Sequence, residues 1–192
     1  MFNKKDLSRN ECMLTGSFRR KGYDWWWHSF TAVNDETGEE KPFFVEYFLC
    51  NPALAGEKPI LGQLPENQRQ GRKPSYLMVK AGSWGEDHAQ LHRFFAWKGV
   101  QVHGKKPYSI ETKKRTGEHG SYEQDDVCYA SDTELRGKII ITPEEAAMHP
   151  EYLCDSGSME WNLKLDKQIA FNVGYGAGWL FRSIKAFEMY WH

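Results

Sequence analysis

The stretch Lys21-Gly22-Tyr23-Asp24-Trp25-Trp26-Trp27-His28-Ser29-Phe30 decides the fold. Successive side chains of a strand point to opposite faces, so three consecutive tryptophans cannot all enter one core. Trp is large and amphipathic, and its indole N–H takes a partner when buried. The run therefore predicts a strand with an apolar layer on each side. Trp25 and Trp27 share one face; Trp26, His28 and Phe30 share the other. One layer is expected to be packed core, the other a ligand cavity or a neighbouring element.

Strand signals continue outward from this run. Residues 25–34 end in the turn-forming Asn34-Asp35-Glu36-Thr37-Gly38, and residues 42–50 follow, which together predict an antiparallel hairpin. Further strands are expected over residues 12–18, 75–84, 90–97, 135–142, 158–166 and 183–192, with a short one near 108–112. Residues 51–74 are rich in Pro, Gly, Gln and charge and read as a long loop. Thr142-Pro143-Glu144-Glu145 is a helix start, with Thr142 as the N-cap and Pro at the first helical position. His149-Pro150 ends that helix early. The expected fold class is all-β, an antiparallel barrel or sandwich with at most one or two short helices.

A chain of 192 residues buries enough surface for one large domain or two small ones. Its 25 basic and 26 acidic residues nearly balance, which gives no electrostatic case for nucleic acid. No apolar run is long enough for a membrane-spanning helix, and residues 1–6 lack the apolar core of a signal peptide. Cys12, Cys50, Cys128 and Cys154 form no CxxC pair. They read as reduced cytoplasmic thiols rather than a disulfide scaffold or zinc ribbon. Aromatic content is high: 8 Trp, 9 Tyr and 11 Phe make up 15% of the chain. That density favours a β-rich fold and an aromatic-lined pocket.

The segment Gly22 to Phe30, then residues 43–50, then Ser158-Met159-Glu160-Trp161-Asn162-Leu163 and the glycine-rich loop before Trp179 resembles the tocopherol cyclase-like group. That group sits in a wider lipocalin-like set with carotenoid 1,2-hydratases and AttH-like proteins. The resemblance touches most of the chain in order and covers the family's N-terminal domain. It implies a lipocalin-like barrel over residues 1–192, the first half of a two-barrel protein. It also implies a hydrophobic ligand, polyprenyl-like or polycyclic. In catalytic members the chemistry is acid-catalysed cyclisation or hydration.

Two residues are candidate acids. Glu46 shares a strand face with Phe44, Phe48 and Cys50, and an apolar lining raises a carboxyl pKa by desolvation. Such a group keeps the proton that alkene protonation requires. The alternative is a carboxylate facing solvent or salt-bridged at a barrel rim. His28 titrates near neutrality and is the second candidate, against a buried structural histidine. The candidate ligand lining is Trp25, Trp26, Trp27, Tyr47, Trp84, Trp161 and Trp179, with part of that set plain core. Lys80 and Arg182 are the cations that would orient a polar head group, or else snorkel to the surface.

No metal or cofactor is expected. His88 and His92 have zinc-compatible spacing only on a helix; on a strand they stand about 13 Å apart. Gly174-Tyr175-Gly176-Ala177-Gly178-Trp179 lacks the following helix of a dinucleotide fingerprint. The terminal Phe187-Glu188-Met189-Tyr190-Trp191-His192 is an apolar strand pattern. It predicts edge pairing, in a homo-oligomer or with a further domain. The expected partner is thus a hydrophobic small molecule, bound by an enzyme or by a non-catalytic carrier. An interaction module that pairs through its edge is the third possibility.

Overall fold

The turn after the tryptophan strand sets the register of everything that follows. Asn34 Oδ1 accepts from the backbone N–H groups of Glu36 and Thr37 at 2.9 and 3.0 Å. Gly38 takes the left-handed conformation, φ 72°, that closes the turn. The hairpin that results is β1 (Tyr23–Val33) and β2 (Glu40–Cys50), with Trp25 opposite Phe48, Trp26 opposite Tyr47, and Trp27 opposite Glu46. A computed structural model of the chain describes residues 12, 14–54, 56–103, 108–112 and 127–166.

β3 (Tyr76–Ser83) and β4 (Ala89–Phe95) extend the hairpin to a four-stranded antiparallel sheet in the order β1-β2-β3-β4. A second antiparallel sheet has the order β5-β6-β7-β8-β9. Its strands are β5 (Val100–His103), β6 (Ser109–Thr112), β7 (Tyr129–Ser131), β8 (Glu134–Ile141) and β9 (Gly157–Lys164). The helices are α1 (Pro65–Arg69) and α2 (Pro143–Met148). Thr142 caps α2 as its sequence requires, its hydroxyl accepting from the Glu145 N–H at 3.1 Å.

Alternation decides which side chains enter the core. Val45, Tyr47 and Leu49 of β2, Leu77, Val79 and Ala81 of β3, and Leu91 and Phe95 of β4 meet Ile110, Ala130, Leu135, Ile139, Ile141 and Trp161 from the second sheet. Specific contacts bridge the two halves of this core. The Trp26 ring stacks on Tyr108 with centroids 5.2 Å apart, and the Tyr47 hydroxyl donates to the Tyr129 carbonyl at 2.9 Å. Trp161 lies over Gly137, where an added Cβ would come within 2.5 Å of the indole; glycine permits that approach.

One ion pair is enclosed in this interior. Arg93 of β4 binds the Glu145 carboxylate of α2 and the Ile140 carbonyl of β8. Both residues are buried, so α2 is tied to both sheets by charge-assisted hydrogen bonds.

Several expectations need correction. Of residues 12–18, the part from Gly16 onward is a 3-10 helix, Gly16–Arg20, entered through Gly16 at φ 53°. Residues 51–74 are not featureless. They hold a 3-10 turn and α1, and both ends are clamped by Asn51, whose side chain accepts from the Gly22 N–H and donates to the Pro74 carbonyl. β5 and β7 emerge from a polar region with too little alternation to mark them. The β class holds, with two short helices among the described residues. Among those residues no strand pairing joins the two sheets, which form two packed antiparallel sheets. The strand over 183–192 and the Gly174–Trp179 loop lie outside the described residues.

Candidate functional site

The outer face of the first sheet, turned away from the core, carries most of the candidate residues. Strand register arranges them in transverse rows. Trp25, Phe48, Met78 and Phe94 form one row; Trp27, Glu46, Lys80 and His92 form the next; Ser29, Phe44, Gly82 and Gln90 form the third. A row holding an acid, an ammonium and an imidazole thus lies between an apolar row and a mixed row that contains Phe44.

The aromatic rings are in mutual contact. Tyr23 stacks on both Trp25 and Phe48 with centroids 5.8 and 5.7 Å apart. Phe48 meets Tyr76, Tyr76 meets Phe94 edge-on, and Phe94 meets Tyr152 from the segment after α2. At the other end, Trp27 stacks on Phe44 at 4.9 Å, and Trp84 leans against both. These offset and edge geometries are the favoured ones for aromatic pairs. Phe44 is 0% exposed although it points away from the core, because Trp27, Trp84 and the Lys80 side chain cover it. Gly82 makes room for its ring; an added Cβ would stand 2.8 Å from Phe44 Cζ.

Glu46 sits half-buried in the middle of this face. Burial pushes its carboxyl above the ordinary value, and the Lys80 ammonium only partly opposes that. Among the described residues the carboxyl accepts no hydrogen bond. Lys80 Nζ lies instead 5.3 Å from the Phe44 ring centroid, a cation–π position. His92 donates from Nδ1 to the Tyr152 carbonyl at 2.7 Å, which fixes the tautomer with a lone pair on Nε2. Nε2 is buried with no hydrogen-bond partner among the described residues. Burial lowers the His92 pKa, and Lys80 lowers it further, against the Tyr152 carbonyl and Asp155.

Five candidates are therefore brought together: Trp25, Trp27, Glu46, Lys80 and Trp84. Trp26, Tyr47 and Trp161 are buried in the hydrophobic core between the two sheets. His28 faces the same interior and stands opposite Val45, so the two candidate acids lie on opposite faces of one sheet. His88 is in the turn before β4, away from the His92 register position, and the described residues hold no group of three or more metal-ligating side chains. Trp179 and Arg182 lie outside the described residues.

Tyr76, Met78, Phe94 and Tyr152 complete the face and were not among the expected candidates, whereas Phe44 and Phe48 were expected beside Glu46 and His92 was weighed only as a metal ligand. Phe44 and Phe48 were legible because they alternate with the core residues of β2. Tyr152 had no such signal, because its place depends on how the chain returns after α2.

No helix among the described residues is long and apolar enough to cross a membrane. In comparison with known proteins, the chain matches no family model, no curated protein and no solved structure.

Proposed function

We propose that the chain binds a flat hydrophobic small molecule, of isoprenoid or polycyclic type, against the aromatic outer face of its first sheet. The observation that carries this reading is Glu46: a half-buried carboxyl with a raised pKa and no hydrogen-bond partner among the described residues, set among rings. The proposal keeps the resemblance to tocopherol cyclase-like and carotenoid hydratase-like proteins. With it come a lipocalin-like closure of the two sheets and a second domain. All four cysteines are free, which supports a reducing, cytoplasmic setting.

The chemistry proposed is protonation of a double bond. The Glu46 carboxyl gives its proton to an alkene carbon, leaving a tertiary carbocation on the ligand. The faces of Trp27 and Phe48 stabilise that cation, by roughly 2 kcal/mol per desolvated ring. Water or a ligand hydroxyl then adds to the cation, and its proton returns to the Glu46 carboxylate, so the acid is regenerated.

Native mass spectrometry of freshly purified protein should show a co-purified isoprenoid or lipid. Glu46→Gln should retain that ligand and lose its conversion, whereas Trp27→Ala should lose the ligand. Undiminished turnover in Glu46→Gln would remove the acid assignment. Unchanged binding in Trp27→Ala would remove the face.

A second reading is a surface for another copy of this chain. It is favoured by the exposure of Tyr23 at 61% and Trp84 at 43%, large for aromatics on one face. Light scattering separates the two: a dimer that Trp84→Glu dissociates supports the interface, and a monomer supports the ligand face.

A further inference from the structure

A cleft of about 520 Å³ opens beside Leu49 on the core side of the first sheet. It is separate from the aromatic outer face. Its floor is apolar: Leu14 and Leu49 are buried, and Trp97 is nearly so. Val100 and Val102 of β5 form a further wall. The Trp97 N–H is already satisfied by the Cys50 carbonyl at 2.9 Å, so the indole presents only its ring. The volume falls within the roughly 300–1,000 Å³ typical of small-molecule sites.

The polar residues lie at the rim. Arg19, in the 3-10 helix Gly16–Arg20, borders the cleft and is exposed. Among the described residues it makes no hydrogen bond and no ion pair. The described lining residues include no carboxylate. The nearby Asp24 side chain is turned to the backbone N–H of Trp25 at 3.0 Å. Burial raises the Cys12 thiol to about 11, so Cys12 enters the lining as a neutral group near neutral pH. An apolar floor with an unpartnered guanidinium at the mouth, and no carboxylate among the described lining residues, form a charge pattern that suits an anionic head; Asp24, the described acid that acts on Cys12, lies outside the lining.

We propose that this cleft binds a single-chain amphiphile with an anionic head, a free fatty carboxylate, with the chain on Leu14, Leu49 and Trp97 and the carboxylate on Arg19. A guanidinium and a carboxylate match as a two-point hydrogen-bonded pair.

Isothermal titration with dodecanoate, below its micelle concentration, tests the site on the full chain. Saturable one-to-one binding is expected. Dodecanol, with the same chain and no charge, should bind about tenfold more weakly or worse, the size expected for losing a charge-assisted hydrogen bond. Arg19→Ala should weaken dodecanoate by a similar factor, and Arg19→Lys should recover part of the loss. Arg20→Ala, the neighbouring cation outside the lining, should bind as the parent does. Alkylation of Cys12 at pH 9, followed by peptide mass spectrometry, reports occupancy independently and should slow with dodecanoate present. Absence of saturable binding overturns the proposal. So does equal affinity for dodecanol, equal affinity in Arg19→Ala, or Cys12 alkylation that dodecanoate leaves unchanged.

Discussion

Glu46 and Lys80 stand opposite one another in the β2–β3 register, yet the ammonium lies over the Phe44 ring and not on the carboxylate. The pairing that would hold Glu46 ionised is thereby weakened, and burial raises its pKa above the ordinary 4.5. An acid whose folded pKa is raised holds its proton more tightly when folded. Its contribution is intact below pH 4.5 and is lost as pH rises through the folded value. Glu46→Gln removes that dependence. Urea midpoints of the variant and the parent should differ least near pH 4, and the variant should gain on the parent toward pH 7.5. A difference that stays flat with pH would mean that burial does not act on this carboxyl.

The covered position of Phe44 depends on the missing side chain at Gly82. A methyl there would stand 2.2 Å from the Ala89 carbonyl oxygen and 2.8 Å from the Phe44 ring, closer than either contact allows. Gly82→Ala should therefore destabilise the chain by about 1–3 kcal/mol, as overpacking does. It should also alter Trp27 and Trp84 fluorescence, because both indoles rest on Phe44. Unfolding curves and emission spectra on one variant check both effects.

Arg93 and Glu145 join the first sheet to α2 inside the protein, where both side chains are buried. Glu145→Ala should cost about 3–5 kcal/mol, most of it from the stranded guanidinium. The double variant Arg93→Met with Glu145→Leu replaces the pair by apolar groups and should recover much of that loss. A double variant less stable than Glu145→Ala would show that the pair contributes net attraction beyond its desolvation.

The alternation of β1 and β2 was legible because side-chain period and turn chemistry agree: the Asn34–Gly38 turn sets the register that puts Trp25 and Trp27 beside Phe48 and Glu46. Which face of β1 is core was not legible. Trp26 and Trp27 are the same residue type, and only the second sheet, through Tyr108, selects Trp26. The candidate lining was divided for the same reason, with Tyr47 and Trp161 taken into the core and Trp84 left outside. Arg93 and Glu145 lie 52 residues apart, and no local pattern announces a buried ion pair between them. The strand expected over residues 12–18 gives way to a 3-10 turn from Gly16 onward because Gly16 enters at positive φ, a turn that composition alone does not reveal.

His92 occupies the same transverse row as Glu46 and responds to pH in the opposite direction. Its folded pKa is lowered, burial being the largest cause. A base with a depressed folded pKa contributes stability above the unfolded value of 6.5, and loses it as pH falls, because the unfolded chain takes up the proton first. The Tyr152 carbonyl cannot reverse this, since it holds Nδ1–H in both ring forms, while a proton on buried Nε2 would have no acceptor among the described residues. Between pH 4.5 and 6.5 the two groups therefore act against each other, Glu46 favouring lower pH and His92 higher. In the parent chain their slopes partly cancel. In Glu46→Gln the His92 slope should stand alone, and stability should fall more steeply from pH 7 to pH 5 than in the parent. Adding His92→Gln, whose amide can still donate toward the Tyr152 carbonyl, should flatten the curve again. Stability measured by urea unfolding across that range decides the matter, and a slope in Glu46→Gln that His92→Gln leaves unchanged would assign the proton to another group.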